Sequence, residues 1–211
     1  MKVKMTYMIL AALAVVVILI ICLAAFSGVL SGSNSGSNAT PTPTLSPAGN
    51  GSVMLSALQA LSIANNDSNV TSWRSSQADV YVSDISTESS SNGLSDTWVI
   101  TYILDSSQAL VGVRNGLVDY VNLSMLKPGA APTPELETAG VINSDRASGI
   151  AASTLSSMGV TAGGPASFEL YPGEKDTSLW DIIYPDNGGY YLVRLNATSG
   201  QVIGTTQYNL G

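Results

Sequence analysis

From Met5 to Leu30 the chain reads MTYMILAALAVVVILIICLAAFSGVL, and no charged residue stands anywhere between Lys4 and Asp67. A helix of about 20 apolar residues crosses the hydrocarbon core of a bilayer. The run therefore predicts an N-terminal transmembrane helix: residues 1–30 form a cytoplasmic tip and a span that meets the membrane through residues 5–30. Lys2 and Lys4 keep the short side in the cytoplasm under the positive-inside rule. The expected localisation is the plasma membrane, single-pass, with everything after Leu30 extracytoplasmic. Three other readings of this segment compete with the anchor. A cleaved signal peptide shares the charged start, and Leu23-Ala24-Ala25 offers small residues near a cut. The apolar part of such a peptide normally spans about 7 to 15 residues, shorter than this run. A lipidated Cys22 would follow small residues, whereas Leu19-Ile20-Ile21 precedes it. A type IV pilin leader would place a processing site between its charged and apolar parts, and none is present.

The chain has no histidine, and its single cysteine, Cys22, lies inside the apolar run. Most nucleophile–base pairs, transition-metal sites and any intrachain disulfide are thereby removed. The expectation is a protein that is not an enzyme, with no catalytic residues, cofactor or metal. Two rivals need neither histidine nor cysteine. A carboxylate-only hydrolase could draw a pair from Asp79, Asp84, Glu88, Asp181 and Asp186, although no spacing selects one. A calcium site could use Asp186 with Asn187, or Glu169 with Glu174 and Asp176, but no segment has EF-hand spacing. Solvated turn charges explain these residues more simply. All fifteen acids lie from Asp67 onward against six basic residues, a balance of −9. Such a surface repels phosphate backbones, so no nucleic-acid partner is expected.

Residues 31–52, SGSNSGSNATPTPTLSPAGNGS, hold one large apolar side chain, Leu45, and read as a disordered stalk. Pro41, Pro43 and Pro47 stiffen its outer part toward polyproline II. A second break, Lys127-Pro-Gly-Ala-Ala-Pro-Thr-Pro134, divides the rest into a first α+β unit (53–126), a linker (127–141) and a second α+β unit (142–211). Six Asn-x-Ser/Thr sequons, at Asn38, Asn50, Asn66, Asn69, Asn122 and Asn196, are candidate glycosylation sites of an exterior surface, those in the stalk foremost.

The two units repeat one order of elements. In the first, Ser52 precedes a helical spacing of Met54, Leu58 and Leu61, and strand-like runs follow at 79–85, 97–104, 109–113 and 117–121. In the second, Ser144 precedes a helix with Ala147, Ile150, Ala151, Leu155 and Met158 on one face, closed by Gly159. Strands at 166–171, 179–184, 190–195 and 201–204 come next, with tight reversals at Asp186–Gly189 and Asn196–Gly200. Trp98-x-x-x-Tyr102 aligns with Trp180-x-x-x-Tyr184, and alternation puts these four aromatics on the core face of their strands. The expected fold class is α+β: the transmembrane helix, then two tandem helix-plus-antiparallel-sheet units, each with a small core.

Trp180-Asp-Ile-Ile-Tyr184 followed by Gly189-Tyr-Tyr-Leu-Val-Arg-Leu-Asn-Ala-Thr-Ser-Gly-Gln-Val202 resembles the end of a PepSY domain, whose tryptophan-led strand precedes a strand running into an Asp/Asn-Ala-x-Thr/Ser-Gly-x-Val turn. The resemblance covers about residues 142–205. A weaker copy spans 53–122 and has only Arg114-Asn-Gly116 in place of the turn signature. PepSY-like domains occur in propeptides of secreted metallopeptidases and in membrane-anchored cell-surface proteins, and have no catalytic residues to carry over. The resemblance implies a binding or regulatory module whose partner is an extracytoplasmic protein such as a peptidase. The alternative is a structural, glycosylated envelope protein without a specific partner.

Overall fold

The computed structural model describes residues 52–104, 107–126, 133–162, 164–174 and 177–210. The expected transmembrane helix and stalk, with Asn38, Asn50 and Cys22, lie outside the described residues. Among those described, no helix is long and apolar enough to cross a membrane.

Two short helices, α1 (Ala57–Asn66) and α2 (Ser68–Ser75), precede strands β1 (Tyr81–Ser90), β2 (Thr97–Leu104), β3 (Ser107–Arg114) and β4 (Leu117–Met125). Helix α3 (Ser144–Ser157) then leads into β5 (Ala166–Pro172), β6 (Ser178–Asp186), β7 (Gly189–Asn196) and β8 (Val202–Asn209). The four strands of each half form a meander, as their alternation and turn residues predict. The expectation of two separate helix-plus-sheet units is overturned, because all strands belong to one antiparallel eight-stranded sheet, ordered β4-β3-β2-β1-β5-β6-β7-β8. β1 and β5, the first strands of the halves, pair with each other through Ile85↔Leu170 and Ser86↔Glu169. Two isolated meanders would each leave that edge unpaired, and joining them satisfies both rows of backbone groups.

One core results instead of two. Trp98, Ile100 and Tyr102 on β2 and Trp180, Ile182 and Tyr184 on β6 are all buried, with Ile85, Phe168, Leu170, Val193 and Leu195, under residues of all three helices. The halves repeat each other in detail. The Trp98 indole N–H donates to the carbonyl of Leu55 at 2.8 Å, and that of Trp180 to the carbonyl of Ile142 at 3.0 Å. Each acceptor directly precedes the N-cap of a helix, Ser56 for α1 and Asn143 for α3. The start of α3 also caps the start of α1. Ser144 Oγ accepts from Ala57 N–H at 3.0 Å, and Asn143 Oδ1 accepts from both Leu58 N–H and Ser144 N–H. Helix α1 starts later than the expected Ser52 cap, because Leu55 is engaged in a bridge with Ser95.

The segment expected as a linker is stitched into the fold from Thr133 onward. Tyr81 OH donates to the Thr133 carbonyl, Leu136 N–H to the Val82 carbonyl and Ser178 Oγ to the Glu137 carbonyl. Leu136, Val141 and Ile142 enter the core.

Candidate functional site

Alternation sends every second residue of the sheet to the face opposite the helices. There the register sets polar side chains in a row across four strands: Ser86 on β1 opposes Glu169 on β5, Glu169 opposes Asp181 on β6, and Asp181 opposes Arg194 on β7. Asp84, two residues before Ser86, opposes Thr101 on β2. Arg194 grips Asp181 with two bonds, Nε to Oδ1 at 2.7 Å and Nη2 to Oδ2 at 2.6 Å, and Tyr171 OH also donates to Asp181 Oδ2 at 3.1 Å. The hydrogen bond to Asp181 holds the guanidinium well above its ordinary pKa, and burial raises the Tyr171 hydroxyl, with the neighbouring Asp181 charge adding to it.

Asp84 and Glu169 have no such cation to themselves. Asp84 Oδ1 accepts from Ser86 Oγ at 3.2 Å and from Thr101 Oγ1 at 3.3 Å, while Oδ2 is sealed from solvent without a partner. Burial pushes the Asp84 carboxyl up to about 8, the Glu169 charge adding to it against the two hydroxyls. Glu169 is pushed up to about 7, again by burial first and then by the charge of Asp181, with Arg194 opposing. At neutral pH the pair therefore holds protons that ordinary carboxylates would have lost.

Of the five acids weighed for a hydrolase, only Asp84 and Asp181 enter this row. Asp79 and Glu88 are exposed at the two ends of β1, and Asp186 is exposed in the β6–β7 turn. Of the residues weighed for calcium, Glu169 belongs to the row, Glu174 and Asn187 are exposed, and Asp176 lies outside the described residues. Among the described residues no group of three acids, histidines or cysteines is placed to hold a metal ion. Sequence reasoning divided Asp84, Asp181 and Glu169 between two hypotheses. The available signal was their shared outward parity, but pairing across β1, β5 and β6 depends on strand order.

The four aromatics singled out from the sequence lie in the core: Trp98, Tyr102 and Trp180 are fully buried and Tyr184 is 5% exposed. Among the sequons, Asn66, Asn69 and Asn122 are exposed, and Asn122 sits on β4. Asn196 is half-buried, and its Oδ1 accepts from Thr198 N–H and Ser199 N–H to shape the turn before β8.

Around the acidic row the face is partly apolar. Val99, Leu110, Leu179, Ile183 and Leu192 are each partly exposed, and Tyr190 and Tyr208 stack with ring centres 4.7 Å apart. The sheet ends at β4 on one side and β8 on the other. A shallow hollow beside α2 is lined by Asn65, Thr71, Arg74 and Asp79. Its cation is already committed, since Arg74 donates to Asn65 Oδ1 at 2.6 Å and lies over the Tyr102 ring.

No family model matches the chain. No curated protein matches it either. Among solved structures, the crystal structure of a Clostridium difficile 630 protein, provisionally described as a lipoprotein, is similar, with a TM-score of 0.50 and 14% identity over 66% of this chain and 90% of that one. At that identity the likeness concerns the fold alone.

Proposed function

We propose that the chain is a membrane-tethered, extracytoplasmic, non-catalytic module that works by docking another envelope protein. The observation that carries this reading is the one-sided construction of the sheet: among the described residues all three helices pack on the Trp98 and Trp180 face. Among the described residues no helix packs on the opposite face, and β4 and β8 end the sheet. A partly apolar face with open edges is what a protein partner needs, whether it lies flat or adds a strand. The uncharged run before Asp67 supports the tether, and the PepSY resemblance of residues 142–205 makes an extracellular peptidase the first partner to test. The sealed Oδ2 of Asp84 argues against proton transfer to a substrate, which requires hydrogen-bond reach.

The test is cross-linking on intact cells followed by identification of captured proteins, with envelope proteolysis compared before and after deletion of the gene. A reproducible partner lost on Ile183→Lys and Leu192→Lys substitution is expected. No partner and unchanged proteolysis would favour the structural-glycoprotein alternative. Hydrolysis of a substrate by the purified protein, abolished by one carboxylate substitution, would overturn the non-catalytic reading.

A further inference from the structure

Four of the six sequons lie among the described residues, and the fold presents them differently. N-glycosylation takes an asparagine amide together with a hydroxyl two residues on, so both groups must reach the transferring enzyme from one side. Residues i and i+2 share a face on a strand and do not face each other on a helix. Asn66 ends α1, and Asn69 and Thr71 lie within α2, where the spacing is helical. Their groups are also engaged: Asn66 Nδ2 donates to the Ser62 carbonyl at 2.8 Å, and Thr71 Oγ1 donates to the Asn65 carbonyl at 3.1 Å. Asn196 is half-buried, and its Oδ1 accepts from Thr198 N–H, Ser199 N–H and Ser199 Oγ.

Asn122-Leu-Ser124 is unlike these three. It lies in β4, in the stretch Tyr120–Met125 that keeps regular register with Gly112–Ser107. Val121 and Leu123 oppose the buried Val111 and Ala109, so alternation turns Asn122 and Ser124 together to the helix-free face. Both are exposed, and neither side chain holds a hydrogen bond among the described residues. Tyr120, the residue before Asn122 on that face, lays its ring inward over Gly112. We propose that Asn122 carries an N-linked glycan. The inference rests on the extracytoplasmic location proposed above. The donor is an oligosaccharide held on a lipid phosphate. The bond from its anomeric carbon to the phosphate oxygen breaks, the phosphate leaves with the electron pair, the anomeric carbon joins Asn122 Nδ2, and one amide proton is released. Asn122 stands five strands from Ile183 on β6, about 24 Å at the usual strand spacing, so the glycan leaves the Ile183 and Leu192 patch clear for docking.

The test is peptide mass mapping of the full chain purified from membranes of the cells that make it. Trypsin cuts after arginine and lysine except before proline, so residues 115–146 and 195–211 each come away with one sequon, at Asn122 and Asn196, and residues 5–74 carry the other four. The 115–146 peptide should gain the mass of a glycan, with fragment ions placing it on Asn122. Ser124→Ala should abolish that gain, and Ser124→Thr, which keeps the hydroxyl, should retain it. A 115–146 peptide of unmodified mass overturns the proposal, and so does a glycan on Asn122 that survives Ser124→Ala. If that peptide is bare while 5–74 is glycosylated, the exterior location stands and the assignment to Asn122 alone fails. If every peptide is bare, the assignment fails, and protease added to intact cells decides whether the exterior location fails with it.

Discussion

Stability of the folded unit should fall as pH rises from 5 to 7, and Asp84 should be a main cause. Its carboxyl moves from an ordinary 3.8 to about 8 on folding, so between those values the native state holds a proton that the unfolded chain has released. The native state binding more protons makes the unfolding free energy decrease with pH. The stabilisation is complete below about pH 4 and is lost as pH rises through about 8. One proton gives a slope of about 1.4 kcal/mol per pH unit, or about 3 kcal/mol between pH 5 and pH 7. Glu169, pushed up to about 7, acts in the same direction until neutrality. A change of this size is a large part of a domain's typical stability of about 5–15 kcal/mol.

The assay is urea unfolding of the compact Gly49–Gly211 unit at pH 5, 6, 7 and 8, followed by the fluorescence of Trp73, Trp98 and Trp180. Asp84→Asn keeps the shape without the titration. It should halve the slope below pH 7, nearly abolish it between 7 and 8, and leave the variant more stable than the parent at pH 8. A parent whose stability is flat or rises from pH 5 to 7, or an Asp84→Asn profile parallel to the parent's, would refute the reasoning.

Trp98→Phe and Trp180→Phe should each destabilise by about 2–4 kcal/mol in denaturant titration, by the lost volume and the lost indole hydrogen bond to Leu55 or Ile142; a variant as stable as the parent would contradict it. Gly93→Ala should cost more than the roughly 1–2 kcal/mol of a left-handed alanine, because Gly93 sits at φ 78° with the Ser144 backbone against it; a melting temperature within a degree of the parent's would count against that contact. Residues 142–211 expressed alone should lack cooperative unfolding and near-ultraviolet circular dichroism, since β5 loses β1 and α3 loses Ser56 and Gly93; a sharp two-state transition would contradict it.

Much of the local structure was legible because it rests on short-range chemistry. The strand 97–104 coincides with β2, and the inward positions of Trp98, Tyr102, Trp180 and Tyr184 follow from two-residue alternation. The Asp186–Gly189 reversal depends on Gly188 at φ 91°, a requirement visible in Asn-Gly-Gly. Helix α2 escaped notice, as its polar sequence SNVTSWRS buries only Val70 and has a weak apolar stripe. A capping signal was available in Asp67, whose carboxylate accepts from Asn69 N–H and Val70 N–H. The acidic row was legible only in its members, because Asp84 and Glu169 are separated in sequence by β2, β3, β4 and α3 and meet through the β1–β5 pairing.

That same pairing explains why a repeated unit did not become two domains. A four-stranded meander under one or two helices has two open edges. Placing β1 beside β5 removes one edge from each half and brings the starts of α1 and α3 together, where Asn143 Nδ2 donates to Ser56 Oγ at 2.7 Å and Ser144 Oγ donates to the Gly93 carbonyl at 2.6 Å. The second half thereby supplies capping acceptors to α1, Ser144 Oγ for Ala57 N–H and Asn143 Oδ1 for Leu58 N–H. The seam carries a consequence on the opposite face, since closing it buries Asp84 and Glu169 side by side without a cation of their own. A join selected for stability alone would favour apolar residues there. Two proton-holding carboxyls at the contact between the halves tie the stability of the join to pH, which is why the β1–β5 seam is where the expected loss of stability between pH 5 and 7 originates.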